Sequence, residues 1–166
     1  GATFLSYDPL DIDRVHAFLD THGASLGEMR TVGVTLDDPI ARAHDEQHIL
    51  DEIARRYVAD AQLTLVLVGQ RTWTRRFVDW EVAAAASNGC AILAVPLHPI
   101  TPPVPARLQL LAESGGATIA THPPTSTAEL TAWIEAARCP RAGRLTSTPR
   151  AMRTPLMQRD AVPQTP

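Results

Sequence analysis

Apolar residues recur along the first 139 positions in two alternating rhythms. Runs of consecutive apolar or β-branched residues predict strands at Ala2–Tyr7 (ATFLSY), 31–36 (TVGVTL), 63–68 (LTLVLV), 91–95 (AILAV) and 118–121 (TIAT). Stretches with helical spacing lie between them. Ile12, Val15, Phe18 and Leu19 share one face of a helix over 11–19, which His22-Gly23 closes with a glycine stop. Ile49, Leu50, Ile53, Tyr57 and Val58 mark a second helix. A third covers 78–86 and ends at Asn88-Gly89. A short helix fits 104–113, and an amphipathic one fits 126–138, with Ser126 or Thr127 as N-cap and Glu129 in the first turn. Turn and loop chemistry separates these elements: Asp37-Asp38-Pro39, Gly69, and the five prolines of 96–105, which must form an extended loop.

Strands alternating with helices imply βαβ units and a parallel sheet covered on both faces. The unbroken apolar runs at 63–68 and 91–95 agree, because strands buried on both faces lose the polar alternation. Five strands and about five helices fit a flavodoxin-like three-layer α/β fold with strand order 2-1-3-4-5. Ligands of such sheets bind beyond the carboxyl ends of the strands, at the switch point between strands 1 and 3. The residues after Leu5, those after Val68 and the start of the third helix should therefore surround one crevice.

The pattern stops at residue 139. The last 27 positions carry five Arg (141, 144, 150, 153, 159), a single acid, Asp160, and five Pro, with no apolar periodicity. The expected organisation is one α/β domain over 1–139 and an Arg/Pro-rich tail over 140–166 that builds no core element. The whole chain has 166 residues and a formal net charge of -3, so it does not read as a nucleic-acid binder. Every one of the 15 basic residues is Arg. A P-loop lysine, a Schiff-base lysine and the lysine of a phospho-receiver are excluded by composition. A receiver would also need an acidic cluster at the strand ends, which the sequence does not suggest. Cys90 and Cys139 have no metal-ligand spacing and read as reduced thiols. No segment reaches membrane-spanning length, and Gly1–Asp8 has no basic region before an apolar run, so a cytoplasmic protein is expected.

Glu81 is the unusual residue. On a helix its same-face neighbours are Phe77, Val78, Ala84 and Ala85, all apolar. A carboxylate on a core-facing stripe is costly without partners or a cleft, and desolvation should raise its pKa, as in functional sites. An edge carboxylate that caps a nearby amide or pairs with Arg75 or Arg76 is the equally weighted alternative. His44 and His48 stand at i and i+4, but Asp45 rather than Glu follows the first, so a metalloprotease helix is not indicated. Pro102-Pro103-Val104-Pro105 reads as a rigid loop ahead of a polyproline ligand.

The stretch 66–82 (VLVGQRTWTRRFVDWEV) resembles the signature of the TIR-like family that includes the ThsB proteins of Thoeris anti-phage systems. Phe4-Leu5-Ser6-Tyr7, the Asp11-Ile12-Asp13-Arg14 helix opening, and Gly89 before 91–93 agree with it. Phe77 departs from the Trp expected there, and the Pro-rich loop and the tail lie outside the pattern. The resemblance implies that Glu81 is catalytic and that NAD is the substrate rather than a cofactor, cleaved between nicotinamide and ribose to ADP-ribose or a cyclic isomer. It further implies self-association and a separate effector protein that reads the product. As substrate contacts it points to Phe4, Ser6, Tyr7, Asp8, Arg71, Trp73 and Phe77, with no metal. For Asp8 a helix-capping role is preferred. Arg71 and Arg75 are candidates for the pyrophosphate, with a plain surface position the commoner fate of such arginines, and Tyr7 and Trp73 are candidates for stacking or, equally, for plain packing. The competing reading is a non-catalytic TIR-like module that signals by self-association alone.

Overall fold

A computed structural model describes residues 1–31, 45–100 and 102–139. Five parallel strands form one sheet in the order β2-β1-β3-β4-β5: β1 Ala2–Tyr7, β2 Met29–Thr31, β3 Ala61–Val68, β4 Ala91–Pro96 and β5 Thr118–Ile119. The helices are α1 Ile12–His22, α2 Glu46–Ile53, α3 Arg76–Ser87, α4 Ala106–Glu113 and α5 Thr127–Arg138. Order and direction are those of a flavodoxin-like fold.

The two-residue period of the strands divides the core in two. Phe4, Val66, Val68, Ile92 and Ala94 face one side and pack with α2, α3 and α4 through Ile49, Ile53, Val78, Val82, Leu108 and Leu111. Leu5, Leu65, Leu67, Leu93 and Val95 face the other and pack with α1 and α5 through Val15, Phe18, Leu130 and Ile134. Both faces of β3 and β4 are thus covered, which explains their unbroken apolar runs. Ser6 has the same parity as Phe4, so the strand period directs its hydroxyl toward α3.

Several boundaries differ from those the sequence predicts. β2 pairs with β1 over Met29–Thr31, ahead of the expected 31–36 run, whose remaining residues lie outside the described ones together with the Asp37-Asp38-Pro39 turn. Gly23 caps α1 in the right-handed region (φ -57°), and the chain tightens into one 3-10 turn, Gly23–Ser25. The left-handed residue comes later, at Gly27 (φ 70°). At the end of α3 the glycine does turn left-handed, with Gly89 at φ 67°. α2 runs on into a π-helical turn, Ala54–Val58, which carries Val58 into the core. The Ser126 hydroxyl caps α5 by accepting from the Glu129 N–H at 3.1 Å. The tail beyond residue 139 lies outside the described residues.

Candidate active site

A residue of β1 and one of the helix that covers it meet at the carboxyl end of the strand. Ser6 is fully buried, and its hydroxyl donates to Oε2 of Glu81, which reaches down from the second turn of α3. Glu81 is only 6% exposed. Burial pushes its carboxyl up to about pKa 8, and the Ser6 hydroxyl, a partner of the charged form, pulls weakly the other way. The group therefore holds its proton at neutral pH. The alternative of a surface pairing is overturned, because neighbouring cations are engaged elsewhere: Arg75 faces Asp8, and the Arg76 guanidinium lies 5.8 Å from the Trp80 ring centroid.

Beyond Ser6 the chain turns sharply, and a charged cluster forms at the switch point. Asp8 is 1% exposed; its Oδ1 accepts from the Leu10 N–H at 3.1 Å and caps the 3-10 turn Pro9–Asp11. Its Oδ2 lies 3.0 Å from Nε of Arg75, the residue that precedes α3, as an ion pair without an aligned hydrogen bond. The Asp11 carboxylate occupies the space a side chain at Gly69 would need: a Cβ there would stand 1.9 Å from Asp11 Oδ2. A side chain after β3 would therefore have to displace the Asp11 carboxylate. Burial, and then Asp8, raise the Asp11 pKa, while His98, Arg14 and Arg75 oppose the rise. Two acids do adjoin at the strand ends, contrary to the sequence expectation, but they sit among cations. Three segments that are distant in sequence, those after β1, β3 and β4, deliver these groups, which is why the sequence did not suggest it.

A family model described as Thoeris protein ThsB, TIR-like domain, matches residues 4–101, more than half of the chain. The chain belongs to the ThsB TIR-like domain family. No curated protein matches it. The matched span of the TIR-like domain runs from β1 through the loop after β4 and contains Ser6, Asp8, Arg75 and Glu81. The helices α4 and α5 and the edge strand β5, which complete the three layers, lie beyond it. Among the described residues no helix is long and apolar enough to cross a membrane.

Of the residues the sequence proposed for the TIR-like domain, Ser6 and Glu81 touch, and Asp8 lies two positions further along β1's exit. Asp8 has the capping role preferred for it and adds the ion pair. Phe4 is fully buried in the core beneath α2 and α3, so its contacts are apolar packing. Tyr7 has the opposite parity and packs with the cluster under α1 and α5, away from the Glu81 face. Trp73 is half-buried in the 3-10 turn Thr72–Thr74, and Phe77 meets Trp80 edge to face with centroids 5.2 Å apart. Arg71 is exposed, and its carbonyl accepts from the Thr74 N–H at 3.0 Å. Arg75, a pyrophosphate candidate, is taken up by Asp8. His48 is exposed, and His44 lies outside the described residues. Among the described residues no group of three His, Cys, Asp or Glu side chains is arranged to hold a metal ion.

Two features escaped the sequence reading. Arg107 of α4 is 4% exposed and grips Asp79 of α3 with two hydrogen bonds, Nε to Oδ1 at 2.7 Å and Nη2 to Oδ2 at 2.9 Å. Asp79 precedes Glu81 by two residues, so this pair fixes the helix that carries the acid. Only the acid stands in the recognisable motif; its partner follows the Pro-rich loop, 28 positions on. The Gly69 N–H donates to the buried Thr72 hydroxyl at 2.8 Å, which tightens the link from β3 to α3. The Glu81 carboxyl itself is covered rather than open to solvent. A groove of about 240 Å³ lies on the opposite sheet face, among Arg14, Phe18, His22, Leu97 and Pro123.

Proposed function

We propose that this domain cleaves the bond between nicotinamide and ribose in NAD, with Glu81 as the catalytic residue. The observation that carries the reading is a carboxyl buried against a strand-end hydroxyl, at the switch point of a ThsB TIR-like domain. The nicotinamide ring of NAD is cationic. As the bond breaks, its electron pair leaves with the ring, which departs neutral, and positive charge develops on the ribose as an oxocarbenium-like centre. A carboxylate beside that centre stabilises it electrostatically, most strongly where water is excluded.

Glu81 is protonated in the free protein at neutral pH. A cationic ring brought beside it favours the ionised form, so substrate binding releases the proton and creates the charge where it is needed. The ribose hydroxyls then take over as partners of the carboxylate alongside Ser6. Water adding to the sugar carbon balances the reaction: NAD and water give nicotinamide, ADP-ribose and one proton. An internal nucleophile of the same ADP-ribose gives a cyclic isomer instead. The leaving group departs neutral and needs no proton donor, so Glu81 can act through its charge alone. In this reading the product is a small-molecule signal for a separate effector protein, and copies of the domain self-associate when active.

The test is incubation of the purified protein with NAD, at low and high protein concentration and with and without phage trigger, with products identified by mass spectrometry. Nicotinamide release that disappears in Glu81→Gln is expected. NAD left intact under every condition would remove the enzymatic reading and leave the self-association module.

A further inference from the structure

The Asp8–Arg75 ion pair and the Ser6–Glu81 contact run side by side between the same two elements. Ser6 and Asp8 are separated by about 6.6 Å of extended chain, and Arg75 and Glu81 by about 9 Å of helix axis. Both contacts therefore tie the end of β1 to the first two turns of α3. We propose that Asp8 and Arg75 are positioning residues for Glu81: their pair clamps the start of α3 onto the end of β1 and so sets how deeply the Glu81 carboxyl sits against Ser6.

The sequence of α3 calls for such a clamp. Arg75 occupies the N-cap position, where its side chain makes no capping hydrogen bond. A cation at the positive end of a helix dipole is unfavourable, and the acid of the first turn, Asp79, is engaged by Arg107 rather than by Arg75. Asp8 supplies the anion for Arg75, at 3.0 Å, from a carboxylate that is 1% exposed and would itself be costly to bury alone. The surroundings are charged on every side: Asp11 faces Asp8 and Arg75, and His98 and Arg14 face Asp11. Among the described residues, the buried side-chain polar atoms without a hydrogen bond are Asp8 Oδ2, Asp11 Oδ2, Arg75 Nε and His98 Nε2. Charge pairing, not a satisfied hydrogen-bond network, therefore holds this edge. Further along, Arg107 secures α3 to α4 through Asp79. Loss of the Asp8 clamp would free only the first turn of α3, opening the interior toward Glu81 without releasing the helix. On Glu81 itself, burial and Ser6 are the acting influences, so its titration reports how dry the site is.

The inference deepens the role proposed for Glu81, but its test needs no NAD and so stands or falls separately. The Glu81 carboxyl is titrated by carbon-13 NMR in wild type, Asp8→Asn, Arg75→Gln and Arg75→Lys. Arg75 is partly exposed, so its variants are expected to fold even if Asp8→Asn does not. If the pair is a clamp, both Asp8→Asn and Arg75→Gln admit water and lower the Glu81 midpoint, by about one pH unit or more. Arg75→Lys restores the wild-type curve. Simple charge removal predicts opposite signs, because loss of a nearby cation raises a carboxyl pKa. A Glu81 midpoint that rises or stays put in Arg75→Gln overturns the proposal, whatever the variant does to thermal stability.

Discussion

Ser6 and Glu81 lie 75 positions apart in the chain and meet hydroxyl to carboxyl in the interior, at the end of the first strand. Strand parity turns Ser6 toward α3, and helical spacing turns Glu81 toward the sheet. Neither rule alone makes the contact; the parallel register of β1 with β3 brings them to the same depth.

Glu81→Gln is nearly isosteric and keeps an acceptor for the Ser6 hydroxyl. Nicotinamide release from NAD is expected to fall by about 10³-fold, the scale of losing a preorganised electrostatic group. The melting temperature should match that of wild type near pH 4.5 and exceed it at neutral pH, where wild type loses stability because Glu81 ionises on unfolding. Chromatographic assay of nicotinamide beside a thermal melt checks both. Retained turnover in a folded variant would remove Glu81 from the mechanism.

Stability should decline as pH rises from about 4.5 to about 8. In that window the unfolded chain has lost the Glu81 proton and the folded protein retains it, so unfolding releases a proton and becomes easier with each increment of pH. The whole loss amounts to roughly 5 kcal/mol at most. Glu129, whose carboxylate accepts from the Thr125 N–H and hydroxyl and is held below its usual pKa, acts in the opposite sense at more acid pH. Denaturant titrations at steps between pH 5 and 8.5 measure the slope. Glu81→Gln should flatten it; the same slope in both proteins would assign it to another group.

Arg107→Met leaves the Asp79 carboxylate of α3 without its bidentate partner, and a cost of about 3–5 kcal/mol is expected for one broken half of a buried pair. Asp79→Leu combined with Arg107→Met should recover most of that loss, because the two charges then vanish together. Equilibrium unfolding of the single and double variants gives the coupling directly. Equal penalties for Arg107→Met and the double variant would show that packing, not charge, holds α4 on α3.

Gly69→Ala should destabilise the fold by about 1–2 kcal/mol, through displacement of Asp11 from the space the new methyl claims. Asp11→Ala in the same chain should relieve most of the penalty. Additive losses in this double-variant cycle would place the strain in the backbone instead.

The layered fold was largely legible because its signals are local. The buried runs of β3 and β4 mark strands covered on both faces, and the helical spacing of Val15 and Phe18, of Ile49 and Ile53, and of Leu130 and Ile134 marks the faces that cover them. The same local pattern marked Glu81 as an anomaly, a carboxylate among the apolar same-face neighbours Phe77, Val78, Ala84 and Ala85, but left its role level with an edge carboxylate until the family resemblance was weighed. Boundaries set by competition were less legible. β2 begins two residues early, where Met29–Thr31 pair with β1, and Gly23 stays right-handed because a 3-10 turn absorbs the reversal.

The amino-acid order by itself determined the α/β alternation, the sheet that follows from it, the family motif and the acid within that motif. The partners of that acid's helix were settled only in three dimensions. Ser6 for Glu81, Asp8 for Arg75 and Arg107 for Asp79 are joined through space by strands and loops whose sequence separations carry no period to read. Tertiary packing also decided that Phe4 serves the core and that Tyr7 looks away. Adjacent positions on a strand face opposite layers, and only the assembled sheet establishes which layer holds α3.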